Sequence, residues 1–270
     1  MKIHLGPAGI PLTAKGSTSM DGIRRVAELG LDAMEIEFVR GVHMKNELAK
    51  QAGKVAKDLG VLLSIHAPYF INLCNPEKAE ASKKRILDSC ERAHYLGAWV
   101  VVFHPGYYGG LPKGESFKRV LKACKEMNEF IEKKGWDVKL GLETTGKVSQ
   151  FGTLEENIGI HRKIKNCVPV VDWAHIYARN VGRIDFKDVV GKMESLHLPR
   201  YHTHFSNIEY TVKGERNHLT LGHQKPDFGE LAKALLKSKI REITLISESP
   251  VLEKDSLRMR DTLERFGYEF

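Results

Sequence analysis

No stretch of this sequence approaches the ~20 consecutive apolar residues that cross a bilayer, so no membrane-spanning helix and no membrane partner is expected. The four cysteines, Cys74, Cys90, Cys124 and Cys167, are widely separated and form no Cys-x-x-Cys pair. That spacing argues against a disulfide framework and a thiolate zinc finger, and buried thiols are expected instead. No Ser/Gly-rich linker or low-complexity run divides the 270 residues, which predicts one domain over 1–270. The opening Lys2-Ile3-His4-Leu5 is strand-like, not a basic segment followed by a long apolar one; no secretory leader is read, and a cytoplasmic protein is expected. A glycine-rich phosphate loop after the first strand is also missing, which weighs against an open doubly wound sheet.

What is present is a recurring alternation. Hydrophobic residues make up 42% of the chain, enough for a large core. Short β-prone segments at Ile3–Gly6, Ala33–Phe38, Leu62–His66, Trp99–His104, Val138–Glu143, Pro169–Asp172, Tyr201–His204 and Ile243–Glu248 are separated by charged amphipathic stretches. Among the latter are Asp21–Leu29, Glu47–Leu59, Lys78–Leu96 and Ser116–Lys134. Leu29-Gly30, Leu59-Gly60 and Leu96-Gly97 read as helix stops, and Thr153 before Leu154-Glu155-Glu156 as a capping box. Eight β segments, with helical stretches after them, predict an α/β fold: a single (β/α)8 TIM barrel. The net charge of +8 suits a polyanion such as DNA or RNA, although a Lys- and Glu-rich surface also fits adaptation to high temperature.

The strand ends carry the chemistry. His66, His104, Glu143, Asp172, His204 and Glu248 close the third to eighth β segments. In a barrel these C-terminal ends point to one face, where barrel enzymes keep their active sites. One histidine or carboxylate there is ordinarily a capped or core residue. Three carboxylates gathered without cations, however, would cost several kcal/mol per charge or be forced to protonate. Imidazole and carboxylate donors without thiolates favour Zn2+, with Mn2+ or Fe2+ as alternatives. The Asp172-x-x-His175 spacing adds a further donor on the same side of a first helical turn, which makes room for more than one ion.

In their order and local motifs these residues resemble the endonuclease IV family, zinc-dependent abasic-site endonucleases of the xylose-isomerase-like barrel superfamily. The carrying segments are His66-Ala67-Pro68-Tyr69-Phe70-Ile71-Asn72, Phe103-His104-Pro105-Gly106, Leu142-Glu143-Thr144-Thr145-Gly146, Asp172-x-x-His175, His204-Phe205-Ser206-Asn207 and Glu248-Ser249-Pro250. The resemblance implies two or three zinc ions, damaged double-stranded DNA as partner, and hydrolysis 5′ to an abasic site. It also implies a grouping: His66 and His104 on one metal; Asp172, His204 and Glu248 on a second; His175 and His218 on a third, with Glu143 bridging and catalytic. The sequence departs from the family at the third metal. Alignment puts Arg216 where the family has Asp, and Glu215, one residue earlier, is the candidate replacement. His202, Asn217 and His223 lie near enough in sequence to complicate that assignment. Arg40, Tyr69 and Phe70 are the expected DNA contacts, and Lys147, Arg179 and Lys213 are further cations on mouth loops.

Two alternatives stay open. A sugar isomerase or epimerase of the same superfamily would need only Glu143, Asp172, His204 and Glu248 around one metal. A non-catalytic DNA-binding barrel would keep metals for stability alone.

Overall fold

The computed structural model describes residues 1–223 and 225–270. Strand and helix alternate through β1 (Lys2–Pro7), α1 (Ser19–Glu28), β2 (Ala33–Glu37), α2 (Asn46–Leu59), β3 (Leu62–His66), α3 (Pro76–Leu96) and β4 (Val100–Phe103). A two-residue β5 (Gly106–Tyr107) precedes α4 (Lys113–Lys134), β6 (Lys139–Glu143), a second short strand β7 (Gln150–Phe151), α5 (Leu154–Lys163) and β8 (Cys167–Asp172). After α6 (Trp173–Arg179) and α7 (Phe186–Glu194) come β9 (Tyr201–Phe205), the hairpin of β10 (Asn207–Thr211) and β11 (Gly214–Leu219), α8 (Phe228–Leu236), β12 (Glu242–Ser247) and α9 (Glu253–Arg265).

Eight strands form one parallel sheet in the order β1-β12-β9-β8-β6-β4-β3-β2. Its two edges meet. The Asp32 N–H donates to the Leu5 carbonyl (3.2 Å), and the Gly9 N–H to the Glu35 carbonyl (2.9 Å). Ala8 bridges Glu35 in parallel register. The sheet is therefore a nearly closed barrel, and closing it leaves no long unpaired edge. The expected TIM barrel is what forms.

Local chemistry sets the element boundaries. Gly60 and Gly97 end α2 and α3 in the left-handed conformation at φ 71° and 70°, where a side chain would be strained. At α5 the Thr153 hydroxyl accepts from the Glu156 N–H (3.2 Å), and the Glu156 carboxylate accepts from the Thr153 N–H (2.9 Å). β4 and β12 stop one residue earlier than the sequence pattern suggested, so His104 and Glu248 stand just beyond their strands.

Strand alternation divides the core in two. Outward residues such as Leu63, Ile65, Val101 and Phe103 pack in the large cluster shared with the helices. Val100, Val102, Val168 and Val170 form a separate apolar cluster, with Trp99 and Leu198 against it. Glu35 and His202 are buried too, and His66, Glu143, Asp172 and His204 lie at the strand C-termini. All four cysteines are buried and unpaired. Among the described residues no helix is long and apolar enough to cross a membrane.

Candidate metal centre

The strand ends converge on Glu143, whose side chain is fully buried. Its Oε2 lies 3.1 Å from His66 Nε2 and 2.8 Å from His104 Nε2. Its Oε1 lies 3.2 Å from His175 Nδ1 and 3.3 Å from His204 Nδ1. One carboxylate thus turns its two oxygens to two sets of donors. His66, His104 and Glu143 form one group whose ligand atoms all lie within 4.8 Å of one another, and Glu143, Asp172, His204 and Glu248 form another. His175, His218 and Glu248 make a third such group, with His218 Nε2 3.7 Å from Glu248 Oε2.

Second contacts orient the imidazoles. His66 donates from Nδ1 to the Ala67 carbonyl (2.8 Å), which turns Nε2 to Glu143 and makes it the nitrogen able to bind a metal once its proton is displaced. His218 Nδ1 is engaged by the Ser206 hydroxyl at 2.7 Å, again freeing Nε2. His204 is held the other way round: its Nε2 is 2.9 Å from Glu35 Oε1, and Nδ1 faces Glu143 and Glu248.

Glu35 and Glu37 were not foreseen from the sequence. Glu35 is fully buried, and its Oε2 receives hydrogen bonds from the Ser64 hydroxyl (2.7 Å) and His202 Nε2 (2.8 Å). His202 therefore supports Glu35 from beneath the site. The available signal was the alternation Met34-Glu35-Ile36-Glu37, which puts two carboxylates on the inward face of an otherwise apolar strand.

The hairpin explains the departure at the third group. Its register shifts between Glu209 and Tyr210, so that Tyr210 pairs with Glu215 and Glu209 with Asn217. Arg216 is the extra residue of this β-bulge, and a bulge resets which side chains face which way. Glu215 points into the site, with Oε2 2.9 Å from His175 Nε2. Arg216 and Asn217 turn outward to Glu209 at 3.0 Å each. Close backbone approach makes the placement possible: a Cβ on Gly214 (φ 105°) would lie 2.1 Å from the Gly146 carbonyl oxygen. One on Gly146 would lie 2.0 Å from Glu215 Oε2.

Electrostatics fit a cation site. Burial works to raise Glu143, but His104 and His204, with hydrogen bonds from His104 and His175, hold it well below the usual carboxylate range. Burial and neighbouring carboxylates raise Asp172 and Glu248, against the pull of nearby histidines. His66 resists its desolvation through Glu143, Glu37 and Glu35 and rises to about 10. His175 and His204 are likewise raised well above the usual imidazole value by the carboxylates around them. Among the described residues no well-directed hydrogen bond reaches buried Asp172 Oδ2, Glu215 Oε2 or His204 Nε2, although His175 Nε2 and Glu35 Oε1 approach the last two to 2.9 Å, and buried polar atoms nearly always find one. These donors fit divalent metal ions.

Above them opens a cavity of about 430 Å³ lined by His66, His104, His175, Glu215, His218 and Glu248, with Glu37, Tyr69, Tyr107 and Lys147 on its walls. Tyr69 and its neighbour Phe70 are 59% and 63% exposed. Arg40 is exposed just past β2. Lys147 pairs with Glu215 at 3.7 Å. Arg179 anchors the neighbouring loop: its guanidinium donates to the carbonyls of Lys147 (2.6 Å) and Gln150 (2.9 Å). His223 is exposed in a short helical turn after β11.

The profile of the xylose isomerase-like TIM barrel family matches residues 23–266. The chain belongs to that family. This barrel is 36% identical over 263 residues, 93% of each chain, to an uncharacterized protein of Methanocaldococcus jannaschii. It is 25% identical over 197 residues, 70% of this chain and 69% of the other, to a probable endonuclease 4 of Mycoplasma mobile. Two solved barrels superpose about equally well. A D-tagatose 3-epimerase-like protein gives a TM-score of 0.71 at 22% identity, covering 98% of this chain and 97% of that one. Endonuclease IV of Thermus thermophilus gives 0.69 at 21%, covering 96% and 99%. At such identities the shared property is the fold.

Proposed function

We propose that this xylose isomerase-like barrel is a zinc-dependent endonuclease that hydrolyses the phosphodiester 5′ to an abasic site in duplex DNA. The observation that carries this reading is Glu143, which presents one oxygen to His66 and His104 and the other to His175 and His204. Two or three ions would be held by His66, His104 and Glu143; by Glu143, Asp172, His204 and Glu248; and by His175, His218 and Glu215. Zinc bound there supplies water of lowered pKa, towards ~7, and positive charge for the phosphate oxygens. Glu143 aligns the attacking water, and its low pKa keeps it ionised for that role. The recessed cavity requires the abasic nucleotide to leave the helix, a cost that a missing base lowers. Tyr69, on the cavity wall, and its neighbour Phe70 would fill the gap left behind, while Arg40 adds a cation for the backbone. No membrane partner enters this reading, and a cytoplasmic setting is consistent with it.

The probable endonuclease 4 relative supports this reading. The single-metal isomerase reading draws on the group Glu143, Asp172, His204 and Glu248 and on the epimerase-like neighbour. It leaves His66, His104, His175 and His218 without a role. The test is incubation of zinc-loaded protein with a duplex carrying one abasic site, beside Glu143→Gln. One cut 5′ to the lesion, reduced by several orders of magnitude in the variant, supports the proposal. No cut, with turnover of a ketohexose instead, would refute it.

A further inference from the structure

Glu37 lines the cavity wall and belongs to none of the candidate metal groups. It ends β2 in register with His66 of β3, so its side chain projects into the barrel mouth beside the metal-type donors. Its Oε1 is buried and has no hydrogen-bond donor among the described residues. A buried carboxylate oxygen without a donor costs free energy unless water or substrate supplies one. Ala8 and Leu252, which can supply no side-chain hydrogen bond, line the same cavity, and a Cβ on Gly9 would sit 3.8 Å from Glu37 Cγ. His66, Glu35, Glu248, His204 and the Tyr69 phenol share its electrostatic surroundings.

We propose that Glu37 is a specificity-determining residue that accepts a hydrogen bond from a hydroxyl of the sugar being acted upon. The inference rests on the endonuclease reading and narrows it. The phosphodiester belongs with the candidate metal groups, which leaves the sugar towards Glu37. In an abasic nucleotide within DNA, the 3′ and 5′ oxygens are both esterified and the ring oxygen carries no proton. The hemiacetal hydroxyl at C1′ is the one donor left. An undamaged nucleotide carries a base at that carbon and no hydroxyl, so Glu37 would recognise what the lesion has gained, while the cavity selects for what it has lost.

The experiment compares incision of two duplexes, one with a natural abasic site and one with its tetrahydrofuran analogue, which has hydrogen at C1′. A hydrogen bond to this acceptor predicts a preference in kcat/KM of up to about tenfold for the natural lesion. In Glu37→Ala that ratio falls to about one, and in Glu37→Gln, which keeps an acceptor oxygen, it falls less. The ratio of dissociation constants for the two duplexes, measured on non-cleaving Glu143→Gln protein with and without Glu37→Ala, changes in the same direction. Incision of both duplexes with a ratio unaffected by Glu37→Ala overturns the assignment alone. Incision of neither by the native protein overturns the functional reading and the assignment with it.

Discussion

Replacing Glu35 with Gln tests whether the polar layer beneath the site tunes the metal. The carboxylate is fully buried and meets three neighbours: His202 Nε2 at 2.8 Å, the Ser64 hydroxyl at 2.7 Å and His204 Nε2 at 2.9 Å. Burial works to raise its pKa, but His204 and His202 hold it well below the usual range, so it is ionised at neutral pH. A carboxamide has the same shape but one oxygen and one NH2. Whichever way it turns, its NH2 faces a nitrogen or hydroxyl that formerly met a carboxylate oxygen. Losing one charge-assisted contact costs about 1.5–3 kcal/mol. At ~1.4 kcal/mol per factor of ten, that is about a ten- to hundredfold loss. Losses of that size are usual when a group orienting a metal-bound histidine is removed. The expected result is zinc binding weakened by this factor at the ion sharing His204, measured by competition with a chromophoric chelator, while the ion on His66 and His104 binds as before. Native affinity at every site in folded Glu35→Gln protein would refute the reasoning.

The protonation states give a pH prediction. His66, at about 10, and His175 and His204, also raised, hold protons at neutral pH in metal-free protein. Metal must displace those protons, so zinc affinity rises between pH 6 and 8, with more than one proton released as the sites fill. Calorimetry in buffers of different ionisation enthalpy counts them; a pH-independent affinity contradicts the prediction. The same raised values stabilise the metal-free fold, fully below the unfolded imidazole value of ~6.5 and progressively less as pH rises through about 10. Its Tm should therefore fall on the alkaline side, as followed by circular dichroism. Tyr69→Ala and Phe70→Ala, which truncate rings 59% and 63% exposed, should each weaken abasic-duplex binding about tenfold, within the ~1–3 kcal/mol of a base-stacking contact. Fluorescence anisotropy reads that change; unaltered binding removes both residues from the interface.

Much of this architecture was legible because each strand of a barrel ends on the same face. Once the eight segments were placed, His66, His104, Glu143, Asp172, His204 and Glu248 had to converge, and the distances around Glu143 show that they do. What escaped was set by features with no strong sequence signature. The choice between Glu215 and Arg216 depends on a β-bulge and on the approach of Gly146 to Gly214, neither of which is visible before the hairpin folds. Glu35 and Glu37 were overlooked because a β-prone run with alternating charge reads ordinarily as a strand with one solvated face. In a barrel that face is the interior. Arg179 looked like a free cation until its bonds to the Lys147 and Gln150 carbonyls fixed it as a loop anchor.

The central claim is that the nitrogen and oxygen donors gathered at the barrel mouth are too many for one ion. Elemental analysis of zinc-saturated, desalted protein tests it most directly. Two or three zinc ions per chain, with one fewer in His218→Ala, is the result expected. A single ion per chain, unchanged by that substitution, would contradict the nuclease account and favour the isomerase.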